Sequence, residues 1–184
     1  MSDTVTKARE FLEKQIPIAP LVIFRVLFAA ILVWEVYRYF IYDRIFRYYI
    51  QPKFHFTYYG FDWVSPLAGY GMYILWIGIA ILALLMGIGL FYRLAALGLF
   101  ITLSYVFLLD VTQYLNHFYL VAIMAFLMMF IPAHRYLSFD SLRKPEIKSM
   151  HIARGYLYII IFQLAIVYFY GAIAKINYDW LVRA

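Results

Sequence analysis

Cysteine is absent from these 184 residues, so no disulfide framework and no thiolate metal site is available. Charge is scarce: Asp, Glu, Lys and Arg make up 14% of the chain, against about a quarter in an average soluble domain. No G-x-S-x-G, Walker or G-x-G-x-x-G motif occurs. The four histidines (His55, His117, His134, His151) show neither zinc spacing nor a carboxylate-histidine motif, so no metal is expected. There is no internal repeat and no low-complexity tract.

Present instead is apolar surface. Hydrophobic residues are 66% of the chain and aromatics 22%. That balance describes a polytopic membrane protein, with the lipid bilayer as its first partner. The net charge of +6 does not point to nucleic acid, because the basic residues gather in loops between apolar runs.

Five runs are long and apolar enough to cross a bilayer: roughly 18–42, 67–91, 94–110, 116–132 and 153–177. In lipid the backbone must bond to itself, so each is expected as a helix, and the fold class as an all-α bundle. A β-barrel would show short segments of alternating polarity, and none appears. Residues 3–15 carry Val5, Ala8, Phe11 and Leu12 at helical spacing among charges. They read as an interfacial helix with Asp3 as N-cap. The expected organisation is this helix within 1–17 and one membrane domain over 18–182.

Lysine and arginine set the expected orientation. With a cytoplasmic N-terminus, nine fall inside (Lys7, Arg9, Lys14, Arg93, Arg135, Arg143, Lys144, Lys148, Arg154) and five outside (Arg44, Arg47, Lys53, Lys175, Arg183). Arg25 and Arg38 lie within the first span. Arg25 is expected to snorkel inward, and Glu35 to pair with Arg38 three residues on. The long loop 43–66 is rich in Tyr and Phe. It reads as an aromatic interface belt, or as a cover over a membrane-level cavity.

Polar groups recur at one depth. The connection between the third and fourth spans, LLDVTQYLNHFYL (108–120), holds Asp110, Asn116 and His117. At 1.5 Å per residue, Asp110 lies about 26 Å from Arg93, and Lys175 about 32 Å from Arg154. A hydrocarbon core is about 30 Å thick, which places all four near the outer boundary. Each has a bland reading. Lys175 can anchor at the interface or pair with Asp179. His117 can be a hydrogen-bonded helix-start residue. Asn116 can be an N-cap, and Asp110 can mark a helix end. Together they favour function, because polar groups at membrane depth tend to mark it. Leu164, Tyr168, Gly171 and Lys175 share one stripe of the fifth helix. Gly171 leaves a gap that a flat aromatic ligand fits, or that a neighbouring helix fills. A free lysine amine has a pKa near 10.4, and desolvation lowers it until the neutral amine is available as a base. Such a base suits a lipid-soluble phenol or hydroquinone.

At these residues the chain resembles the vitamin K-dependent γ-carboxylase family, whose membrane part is called the horizontally transferred transmembrane domain. The matching stretches are IFRVLF (23–28), YRLAALGLFITLSYVFLLDVTQYLNHFYLVAIMAF (92–126) and FQLAIVYFYGAIAKINYDW (162–180). The Asn-His pair opening one helix and the lysine before Asp-Trp are the most specific features. The resemblance implies an enzyme that oxygenates vitamin K hydroquinone to its epoxide, using O2. The strong base formed on the way takes a γ-proton from a protein glutamate, and CO2 adds there. It implies that Lys175 is the initiating base, that His117 and Asn116 assist, and that Tyr168 lines the quinone pocket. A second lysine often precedes the base in the family, and Ala174 stands there instead. The resemblance also implies that the chain is an N-terminal membrane portion. Two other readings stand beside it: a quinone-binding membrane oxidoreductase without carboxylation, and a non-enzymatic membrane scaffold in which Lys175 only anchors.

Overall fold

The computed structural model describes residues 3–176 and Trp180, and the chain divides into two compact units. One comprises residues 18–150. The other joins residues 1–17 to residues 151–184.

The larger unit holds four apolar helices: α2 (Ala19–Ile41), α3 (Gly71–Ile88), α4 (Tyr92–Leu108) and α5 (Asn116–Phe130). Consecutive helices pack on one another, α2 on α3, α3 on α4 and α4 on α5. The buried residues follow helical periodicity. On α3 they are Met72, Trp76, Ile79, Ala83 and Met86, spaced by three and four. The opposite faces stay apolar and exposed, as lipid requires, with Ile74, Ile77, Ile81 and Leu84 outward. The middle of α2 and the last turn of α3 approach closely: a Cβ on Gly87 would lie 2.6 Å from that of Ala29. Small residues permit this approach where apolar burial supplies little drive.

The smaller unit holds α1 (Asp3–Glu13), β1 (Gln15–Pro17), β2 (His151–Ala153) and α7 (Arg154–Ala174). The expected helix within 1–17 is α1, which includes Asp3 rather than leaving it as the N-cap. Phe11 meets the Tyr158 ring edge-on at 5.3 Å, and the Arg154 guanidinium lies 4.4 Å over Phe11. The strands form a three-residue antiparallel pair with Ile16 opposite Ile152, which no helical reading foresaw. Proline at position 17 ends the pairing, since it has no N–H to give.

All five expected apolar helices exist. Three (α2, α3, α7) have the length and hydropathy to cross a bilayer. The other two are shorter, at 17 and 15 residues. They rise about 26 and 22 Å; α4 is shifted two residues toward its start, and α5 stops at Phe130, ahead of Ile131 and Pro132.

The α3–α4 turn shows what the short loops demand. Gly89 ends α3 in the left-handed region (φ 69°), and Leu90 N–H donates to Leu85 O at 2.9 Å. A Cβ at Gly89 would collide with Ser138. The Asp140 carboxylate, on the short helix α6 (Phe139–Arg143), accepts from Phe91 N (3.0 Å) and Tyr92 N (2.9 Å), capping α4.

Arg25 departs from expectation. It is 1% exposed and does not snorkel to water. Its Nε donates to Gly87 O (3.1 Å), Nη1 to Ala133 O (2.7 Å) and Tyr136 O (3.4 Å), and Nη2 to Leu137 O (2.6 Å). The planar guanidinium fits this role because its five donors fan out toward several acceptors at once. One side chain therefore ties α2 to the end of α3 and to the 133–137 turn. Replacing Arg25 by Met strands those carbonyls and costs on the order of 3 kcal/mol. The expected result is a clear drop in the thermal midpoint of the detergent-solubilised protein, with Arg25→Lys falling between the two.

Candidate active site

The connection between α4 and α5 is built around Asp110. After Leu108 the chain turns to extended backbone, and Asp110 is 5% exposed. One carboxylate oxygen accepts from Thr112 N (2.9 Å) and Thr112 Oγ1 (2.7 Å), which fixes a single turn over Val111–Gln113. The other lies 3.1 Å from His55 Nδ1. Val111 N donates to Phe56 O at 2.8 Å. Tyr58 stacks on Phe107 at 5.3 Å, and Tyr105 donates to Ser65 O. The loop 43–66 therefore folds onto the end of the α4–α5 hairpin, as the cover reading requires. Phe54, Tyr59 and Trp63 remain exposed, as an interface belt requires. The loop covers the hairpin end, while neither described cavity lies beneath it.

The first turn of α5 is pinned from below. Phe118 packs edge-on against Tyr39 (5.9 Å) and Trp76 (6.3 Å), themselves stacked at 3.8 Å. Tyr49, in the single π-helical turn Phe46–Ile50, joins this cluster, and burial pushes its phenol up. With Phe118 inward, Asn116 and His117 project outward, and both are exposed. The N-cap position belongs to Leu115, without a side-chain cap bond, so the reading of Asn116 as N-cap does not hold. Among the described residues neither Asn116 nor His117 makes a side-chain hydrogen bond, and the hydrogen-bonded reading of His117 fails with it. The nearest ring to His117 is Phe118, at 5.3 Å.

Lys175, Gly171 and Tyr168 belong to the smaller unit. Lys175 is the C-cap of α7 and is exposed, so the described residues do not enclose the amine as the expected desolvation requires; its Nζ lies 4.9 Å from the Trp180 ring centroid. The alternative partner Asp179 lies outside the described residues. A Cβ at Gly171 would meet nothing within 4 Å, so no described neighbour packs on that glycine. Tyr168 is 77% exposed, which leaves the stripe open to a flat ring. Ile160 is the one buried residue of α7 among those described.

His55 was invisible in the sequence. It lies 55 positions from Asp110, in a loop without periodicity, and only tertiary folding brings the two together. The Glu35–Arg38 pair, by contrast, forms as expected at 2.9 Å, and Arg44 reaches the same carboxylate at 3.5 Å. The larger cavity of the 18–150 unit lies elsewhere. It is an apolar groove of about 1040 Å³ between α2, α3 and α6, and none of the expected site residues lines it. Its one buried charge, Arg25, is consumed by carbonyls.

The arrangement defines an all-α integral membrane protein with a polar cluster at one end of a helical hairpin. Residues 13–184 match the HTTM domain, and the chain belongs to that family. The HTTM domain is found in vitamin K-dependent carboxylase-related proteins. No solved structure matches the chain.

Burial pushes the Asp110 carboxyl up, but the Thr112 and His55 hydrogen bonds outweigh it and leave the group below its ordinary value. A lowered carboxyl stabilises the fold above the unfolded pKa, about 3.9, and that contribution is lost as pH falls through the folded value. Wild-type protein should therefore show a falling thermal midpoint on the acid side of pH ~4. Asp110→Asn should flatten that limb and lower the midpoint near neutrality.

Proposed function

We propose that this chain is a membrane-embedded vitamin K-dependent γ-glutamyl carboxylase-like enzyme that couples hydroquinone epoxidation to carboxylation of protein glutamate. The observation that carries the reading is the first turn of α5, where Asn116 and His117 face outward with no hydrogen bond among the described residues. Polar groups clustered on a membrane protein tend to mark function. Family membership adds the chemistry that would use them. The open stripe of Tyr168, Gly171 and Lys175 fits a flat aromatic ring.

In this reading Lys175 takes the hydroquinone proton. His117 and Asn116 hold its oxygens, as a donor or acceptor at a ring nitrogen and an amide can. Tyr168 lines the ring's face, and the glycine at 171 lets it approach the helix. Oxidation of reduced vitamin K by O2 would supply a base strong enough for the glutamate γ-proton, and CO2 would then add to the γ-carbanion. Asp110 acts through position, holding the α4–α5 turn and His55. The lysine and arginine balance puts the N-terminus in the cytoplasm and this site on the extracytoplasmic side.

The test is a double assay in lipid nanodiscs with vitamin K hydroquinone, oxygen, labelled CO2 and a glutamate-rich peptide. Epoxide and labelled peptide are expected together. Lys175→Arg keeps an interfacial cation but not a base, since guanidinium stays protonated. It should lower epoxide formation by about 100-fold or more, the usual contribution of a positioned base. Epoxide without labelled peptide would instead identify a quinone oxidoreductase. Unchanged turnover in folded Lys175→Arg would remove the lysine from the mechanism.

A further inference from the structure

At the opposite end of the hairpin, where α4 begins and α5 ends, lies a second cavity of about 440 Å³. Arg93, His134, Arg135, Asp140, Arg143 and Lys144 line it. Four cations thus face a single carboxylate, and that carboxylate is spent: Asp140 accepts from the Phe91 and Tyr92 amides. Among the described residues none of the four cations forms an ion pair. Arg143 only rests 4.9 Å over the Phe91 ring. His134 stacks on Tyr92 at 4.9 Å, and its Nδ1 is buried with no hydrogen-bond partner among the described residues. A buried ring nitrogen without a partner costs free energy unless a ligand supplies one. Burial holds the His134 ring below the ordinary histidine value; Asp140 opposes that, and Arg93, Arg135 and Arg25 add to it.

The rim has a different character. Phe91 and Leu94 line the same cavity and are 52% and 68% exposed. Both stand at the start of a membrane helix. A ligand here meets both cations and apolar side chains.

We infer that this cavity binds the phosphate of an acidic phospholipid headgroup, with the acyl chains against the apolar rim. Arginine forks suit phosphate oxygens, and Lys144 adds a point charge. A cationic cluster serving only to orient the chain needs neither a cavity nor an unpaired imidazole nitrogen. The inference is independent of the chemistry at Lys175.

The experiment compares the protein in nanodiscs of phosphatidylcholine with nanodiscs containing phosphatidylglycerol. Thermal midpoint and lipid retained in native mass spectra are the readouts. Phosphatidylglycerol should raise the midpoint saturably, and one such lipid should survive detergent transfer. Added salt should weaken the effect in wild-type protein, as screening requires. Arg93→Gln with Lys144→Gln removes two cations that make no side-chain hydrogen bond among the described residues. This pair should weaken the lipid's apparent affinity roughly tenfold or more. Lys7→Gln with Lys14→Gln, in the other unit, should not. Equal retention of both lipids would overturn the inference, and so would an undiminished effect in the Arg93/Lys144 variant. Stabilisation by inorganic phosphate in phosphatidylcholine discs, with none from phosphatidylglycerol, would overturn the lipid as the source.

Discussion

A helix that ends near lipid must still find partners for its last backbone groups. In this protein three charged side chains supply those partners. Arg25 collects carbonyls from the end of α3 and from the 133–137 turn. Asp140 collects the first amides of α4, and Asp110 fixes the α4–α5 turn and draws in His55. Arg25 and Asp110 are buried charges and Asp140 is half-buried, and each is held by several hydrogen bonds. That is the condition under which a buried charge is tolerable.

This division of labour sorts the polar residues. Those bound to backbone are architecture, and removing them costs stability. Asn116 and His117, by contrast, make no such bond among the described residues, and Lys175 lies over an indole ring. The four cations around His134 are equally unspent, at the other end of the hairpin. An apolar fold this sparing of charge has little reason to leave such groups unused. Both proposals, the hydroquinone chemistry and the lipid headgroup, rest on that contrast.

The helices were legible in the sequence because lipid makes the pattern coarse: long apolar runs separated by charge and proline. The Glu35–Arg38 pair was legible because it is local, three residues along one helix. What escaped was tertiary. Arg25 looked like a snorkelling residue, since nothing near it in sequence offers a partner. Its carbonyl acceptors stand 62 to 112 positions away. His55 escaped for the same reason. Asn116 was misjudged by one residue, because a good capping side chain does not outrank the register that Phe118 imposes on the first turn of α5. The β1–β2 pair was hidden because three residues carry no period.

The central claim is that an uncommitted amine at Lys175 receives the hydroquinone. Acylation of single lysines by an amine-reactive reagent, read by mass spectrometry with and without a hydroquinone analogue, tests it most directly. The account predicts that the analogue slows labelling of Lys175 in a saturable way and leaves the exposed Lys53 unchanged. Equal labelling of Lys175 at saturating analogue would contradict it.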